Sequence, residues 1–139
     1  MKVNFTHEIT LRVRYSETDQ MGYCYYGRYA DYFEVGRVET MRKLGISYKK
    51  LEDEGIMLPV TELSIQYHRP VYYDNELAIR TTITELSGAR ITFEYAITHE
   101  GKTTTTGKTT LVFVNSQGMK PIAVPEKISE LLRPHSKEI

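Results

Sequence analysis

The sequence has no tryptophan, one cysteine and no surplus of either charge among its 139 residues. Each scarcity excludes something. Cys24 has no second cysteine in the chain with which to close a disulfide, so a reducing, cytoplasmic location is expected. Eighteen basic residues balance eighteen acidic ones. That balance removes the broad positive field that draws a protein to nucleic acid or to an anionic membrane. No run approaches the roughly 18–20 apolar residues of a membrane span. The opening MKVNFTHEITLRVRY lacks the apolar stretch and small-residue cleavage site of a signal peptide. His7, His68, His99 and His135 are scattered without ligand spacing, so no metal site is expected. Glycine-rich phosphate loops of the Walker or Rossmann kind are missing too. No internal repeat and no linker divides the chain, and residues 1–139 read as one domain.

What is present is periodicity and tyrosine. Residues 7–15 alternate strictly, with Ile9, Leu11, Val13 and Tyr15 on one face, which predicts a strand. From Tyr26 the period lengthens. Tyr29, Tyr32, Phe33, Gly36, Thr40, Met41 and Leu44 fall on one helical stripe, with Asp31, Glu34, Arg37, Glu39 and Arg42 on the rest. A helix over 26–44 is predicted, stopped by Gly45. A short helical piece over 47–55 follows, with Ser47 as a cap. Strands are predicted over 60–68 (Leu63, Ile65 and Tyr67 inward), 76–86, 90–99 and 103–114, and Pro70 ends the first of them. Ser87-Gly88 and Glu100-Gly101 read as hairpin turns. The threonines at 103–106 fit a strand because β-branched side chains favour it. A last helical segment, EKISELL, lies in the tail.

One strand, one long helix and then four strands joined largely by hairpins give an α+β layer pair with an antiparallel sheet. A sheet of that kind leaves edges exposed, so self-association is expected.

The stretch Y-S-E-T-D-Q-M-G-x-x-Y-Y-x-x-Y-x-x-Y-F-E-x-x-R, residues 15–37, resembles the signature of hot-dog-fold acyl-CoA thioesterases of the 4-hydroxybenzoyl-CoA thioesterase type. I-Q-Y-H-R-P-V-Y-Y-D-N-E-L, residues 65–77, is similar to that family's Y-x-x-P-x-x-x-D-x-L segment, and T-G-K-T-T-L-V-F-V-N is similar to its final strand. The resemblance covers about residues 8–133. It implies a curved five-stranded antiparallel sheet wrapped around one long helix. It further implies hydrolysis of an acyl-CoA thioester to free acid and CoA, with no metal or organic cofactor. A homodimer or homotetramer with active sites between subunits is implied as well.

Carried onto this sequence, the resemblance makes Asp19 the general base or the nucleophile, two routes that the sequence leaves open. It places the carbonyl-polarising N–H at Tyr26, with Gly27 beside it in the first helical turn. There the leading N–H groups have no internal acceptor, and the helix dipole adds positive character. Gly22 is expected to make the bend between acid and helix. Without the resemblance, an acid before a helix is as readily a capping or loop residue. Family members commonly carry histidine at the position of Tyr26 and asparagine at that of Arg28. Arg28 therefore stands apart, and pairing with Asp31 or Glu17, or contact with substrate, are its alternatives.

Tyr25, Tyr29, Met57, Leu58 and Val60 are candidates for an acyl or aryl pocket, the alternative being helix–sheet packing. Arg69, Arg90 and Lys108 are candidates for the CoA phosphates, with Arg90 preferred because it opens a strand after a short turn; solvated surface charge is the alternative. Glu34 and Arg37 read as a structural or interface pair. Cys24, close to Asp19, is a weaker candidate nucleophile, since no base or cation that would activate it is evident. An acyl-carrier-protein thioesterase and a non-catalytic acyl-binding protein are the rival readings. A hydratase is disfavoured because no histidine lies near the helix start to handle the proton.

Overall fold

A computed structural model describes residues 1–137. The alternating segments pair as β1 (Lys2–Arg12), β3 (Val60–Tyr67), β4 (Glu76–Ser87), β5 (Arg90–His99) and β6 (Lys102–Val112). They form one antiparallel sheet in the order β1-β4-β5-β6-β3. The expected hairpins are present. Gly88 bends the β4–β5 connection at φ 63°, and Glu100 and Gly101 both take positive φ between β5 and β6, as tight hairpin turns require. Within this sheet, consecutive strands fail to pair twice, β1 with β3 and β3 with β4. β3 lies at the far edge against β6, and residues 68–75 cross the end of the sheet to reach β4.

Helix α1 (Tyr29–Leu44) lies across this sheet. It buries Tyr29, Tyr32, Phe33, Gly36, Thr40, Met41 and Leu44, the whole stripe that its period predicts. Opposite stand Leu77, Ile79 and Ile83 of β4, Ile91, Phe93, Tyr95 and Ile97 of β5, and Leu111 of β6. The Phe33 and Tyr95 rings stack at 4.2 Å with 9° between their planes. Gly45 ends the helix at φ 108°, donating to Met41 O. Helix α2 (Tyr48–Asp53) is capped by Ser47, whose hydroxyl accepts from Lys50 N. Short strands β2 (Ile56–Met57) and β7 (Val114–Asn115) pair with each other, and α3 (Glu126–Leu132) is the tail helix. This is the α+β arrangement that the resemblance implies: a five-stranded antiparallel sheet around one long helix.

Four expectations change. The helix opens later than 26, because residues 26–28 form a 3-10 turn that leads into α1. Tyr15 is 77% exposed, since β1 ends at Arg12 and the chain turns away before it. Leu63 and Tyr67 are 47% and 49% exposed, because β3 is the edge strand and α1 covers it only in part, with the Tyr29 ring meeting that of Tyr67 at 5.2 Å. Arg37 is buried, its Nη1 reaching Tyr95 Oη at 3.5 Å. Its long aliphatic stem lets it tuck beneath the helix, while Glu34 stays in solvent.

The tail returns to the other edge. Ser136 bridges Val3, Lys137 N donates to Lys2 O, and the His135 ring meets Phe5 edge-on at 4.9 Å. The first residues of β1 are therefore covered from outside. Among the described residues no helix is long and apolar enough to cross a membrane.

Candidate active site

The loop between β1 and α1 is held by its own backbone. Asp19 N donates to Tyr23 O at 3.0 Å, and Gly22 N donates back to Asp19 O at 3.0 Å. Gly22 sits at φ 85°, a conformation that glycine adopts without the Cβ clash of other residues. Further on, Tyr25 N donates to Glu17 O at 2.8 Å, closing the loop at its base. Cys24 N donates to Val71 O at 2.7 Å, which fixes the loop to the crossover after β3. Asp19 is thereby set on a short turn anchored on both sides.

The Asp19 side chain is half-buried, and its Oδ1 accepts from Met21 N at 2.8 Å. Among the described residues, Oδ2 has no hydrogen-bond partner. The same is true of the N–H groups of Tyr26 and Gly27, at the head of the 3-10 turn, where geometry leaves leading donors unpaired. Asp19 and Tyr26 line one cavity of about 290 Å³, with Met21, Tyr23, Cys24, Tyr29, Tyr67, His68, Arg69 and Pro70. Its wall is largely aromatic, and Arg69 is its one permanent cation. The site thus combines a carboxylate with an uncommitted oxygen, a residue with an unpaired backbone donor and a largely aromatic lining. That combination can take up a proton and bear charge on a carbonyl oxygen.

The description "Thioesterase-like superfamily" matches the chain over residues 13–132. The chain belongs to that superfamily. Acyl-CoA thioester hydrolase YbgC of Escherichia coli O6:H1 is 30% identical over 119 residues, which are 85% of this chain and 89% of that one. A solved DHNA-CoA thioesterase from Staphylococcus aureus is 35% identical with a TM-score of 0.88, covering 91% of this chain and 87% of that one. A solved 4-hydroxybenzoyl-CoA thioesterase shares the fold at 17% identity, with a TM-score of 0.85 over 92% of this chain and 99% of that one.

Within this thioesterase-like chain the cavity gathers Asp19, Tyr26, Tyr29 and Arg69 from among the expected site residues. Gly27 belongs to the same turn but not to the lining, and its Cα is covered by the Tyr25 ring. Tyr25 packs on Tyr26 at 4.6 Å, outside the cavity. Arg28 pairs with Asp31 at 3.4 Å, both exposed. Met57 lies on β2 and Val60 opens β3, both exposed, while Leu58 packs against the core. Arg90 stands at the end of β5 away from the cavity. Lys108 lines a polar groove on the outer sheet face, with Ser64, Arg80 and Glu94.

Five cavity residues were not among the candidates, namely Met21, Tyr23, Tyr67, His68 and Pro70, and Cys24, the weaker candidate nucleophile, lines the cavity as well. His68 corrects the reading that no histidine lies near the helix start. It is remote in sequence, but β3 ends beside the 3-10 turn, where Tyr67 Oη donates to Tyr26 O. The His68 ring is turned to Thr106 Oγ1 at 3.2 Å. Burial pushes the Cys24 thiol up, away from the reactive thiolate. Burial likewise raises the Tyr29 phenol, so it stays neutral.

Proposed function

We propose that this chain hydrolyses acyl-CoA thioesters to the free acid and CoA, with Asp19 acting on the thioester carbonyl and the Tyr26 N–H as oxyanion donor. The observation that carries this reading is the shared cavity, which sets a carboxylate with an unbonded oxygen beside a helical turn with unbonded N–H groups. The similarity to acyl-CoA thioester hydrolases and CoA thioesterases supports the substrate class.

In the base route, Asp19 Oδ2 takes a proton from water and the oxygen adds to the carbonyl carbon. The new oxyanion lies on backbone N–H, and collapse breaks the C–S bond. The CoA thiolate then takes the proton from Asp19. In the nucleophile route, Oδ2 attacks the carbonyl carbon, CoA thiolate leaves, and water cleaves the resulting anhydride to the free acid and the Asp19 carboxylate, the water's remaining proton going to the CoA thiolate. One donor of the oxyanion kind is worth about 2.7–4 kcal/mol of barrier.

Asp19→Asn, assayed on short, long and aromatic acyl-CoAs and on acyl-carrier-protein thioesters, tests the reading. Turnover lost with binding retained supports it; undiminished turnover refutes it. Label in Asp19 after single turnover in ¹⁸O-water establishes the anhydride route with water attacking the Asp19 carbonyl, since the base route leaves none there.

A homodimer or homotetramer is part of this proposal. β3 is an edge strand with exposed apolar side chains, and its end forms one wall of the cavity. A second copy seated on β3 would enclose the site. A cytoplasmic location fits a chain whose one thiol is free and buried.

A further inference from the structure

Two residues before Asp19, Glu17 is a carboxylate that is only 4% exposed. A charge so placed is costly unless its oxygens are bonded, and here each is. Oε1 accepts from Arg14 N at 2.8 Å and from Tyr32 Oη at 2.8 Å. Oε2 accepts from Arg14 Nε at 3.2 Å and Nη2 at 3.0 Å. The Glu17 carbonyl takes the Tyr25 N–H, and the Glu17 N–H donates to Arg14 O at 2.9 Å. One residue therefore joins the exit of β1, the far limb of the loop beside Tyr26, and the core face of α1.

Tyr32 is the deep anchor. It is buried, its phenol is pushed up by burial and so keeps its proton, and its oxygen also lies 3.5 Å from Cys24 Sγ. It is a fixed donor whose bond to Glu17 spans loop and helix. Arg14, by contrast, is 79% exposed at its side chain, so its pair with Glu17 is open to solvent. Of the two side chains that bond to the carboxylate, the buried one belongs to the helix that follows Tyr26.

We propose that Glu17 is a positioning residue, which through Tyr32 and Tyr25 sets the spacing between the Asp19 carboxylate and the N–H of Tyr26. It is absent from the cavity lining, so it acts through those groups and not on substrate. The proposal rests on the roles given above to Asp19 and Tyr26. Small displacements of reacting groups cost rate steeply, up to about a hundredfold for roughly 1 Å. An effect on kcat is therefore expected where a purely structural residue would alter stability alone.

The test is steady-state kinetics of Tyr32→Phe, Glu17→Ala and Glu17→Gln on butyryl-CoA and benzoyl-CoA. Released CoA is read with a thiol reagent, and each variant is checked for a cooperative thermal melt. Tyr32→Phe removes one hydroxyl and is expected to fold. Its kcat should fall about tenfold or more, with KM within about twofold. Glu17→Ala, where it folds, should lose at least as much. Glu17→Gln keeps an acceptor for Arg14 N and Tyr32 Oη, and should recover kcat to within about fivefold of wild type. Wild-type kcat in folded Tyr32→Phe, or a loss confined to KM, overturns the proposal. Asp19→Asn is run alongside. If it is inactive while Tyr32→Phe is fully active, the positioning role alone falls; if it is itself fully active, the reading of Asp19 falls first.

Discussion

The Tyr67 phenol, at the last residue of β3, donates a 3.1 Å hydrogen bond to the main-chain carbonyl of Tyr26. That carbonyl shares a planar trans peptide unit with the N–H of Gly27, so fixing one fixes the other in the opposite direction. An edge strand thus holds the peptide unit that directly follows the proposed oxyanion donor, the Tyr26 N–H, from some forty positions further along the chain.

Tyr67→Phe should therefore loosen the turn without removing it. We expect kcat to fall about fivefold, equivalent to roughly 1 kcal/mol of barrier, with a smaller change in KM. Stability should drop by about 0.5–1.5 kcal/mol. Steady-state kinetics beside a urea titration checks both, and an unchanged kcat would mean that this peptide orientation is immaterial to the rate.

Gly107→Ala addresses the layer contact. A Cβ at 107 would fall within the Phe33 ring and 3.0 Å from the Ser64 carbonyl. Phe33 is fully buried and stacked on Tyr95, so it has nowhere to move. We expect a loss of about 1–3 kcal/mol, read as a lower denaturant midpoint at unchanged slope. A midpoint equal to wild type would show that the helix can lift from the sheet at no cost.

Glu17 should also leave its mark on acid stability. Burial by itself pushes its carboxyl up, but the Arg14 N–H, the Tyr32 phenol and the Arg14 guanidinium together outweigh it and hold the group below the usual carboxylate range. A group depressed in the folded state binds its proton more readily once unfolded. Its contribution is therefore complete above the unfolded value and lost as pH falls through the folded one. Denaturant midpoints between about pH 6 and pH 2 should fall less steeply for Glu17→Gln than for wild type. Parallel curves would contradict the bonding described for this carboxylate.

The proposed pairing of copies through β3 is tested by Leu63→Glu, on a side chain of that strand that is open to solvent. Sedimentation equilibrium should report a single-chain mass for the variant and a multiple of it for wild type. Retention of the multiple would move the contact elsewhere.

How much was legible follows from the range of each signal. The stripe of α1 and the inward faces of β4 and β5 were readable because helical and strand periods are local and both elements lie over one core. β3 carries the same alternation as β4, yet its inner face is only partly covered in the single chain, and period alone cannot distinguish cover by a helix from cover by another copy. Arg37 was misplaced because charge argues for solvent, while its stem reaches Tyr95 under the helix. Asp19 and Tyr26, which both line the cavity, were singled out through a contiguous motif. The opposite wall, Tyr67 and His68, could not be, because the crossover at 68–75 that brings it near is a long-range feature without a spacing rule. Arg28 was read correctly in one of its alternatives, the pair with Asp31.

The returning tail makes the two margins of the sheet unequal. With Ser136 and Lys137 lodged against the start of β1, a ladder cannot run the length of that side, whereas β3 offers its full length. Two copies joined through β3 would use up that margin in one twofold union and turn only obstructed margins outward. Crowding such molecules together would then fill solution with finished pairs, and fibrils would have no template from which to grow.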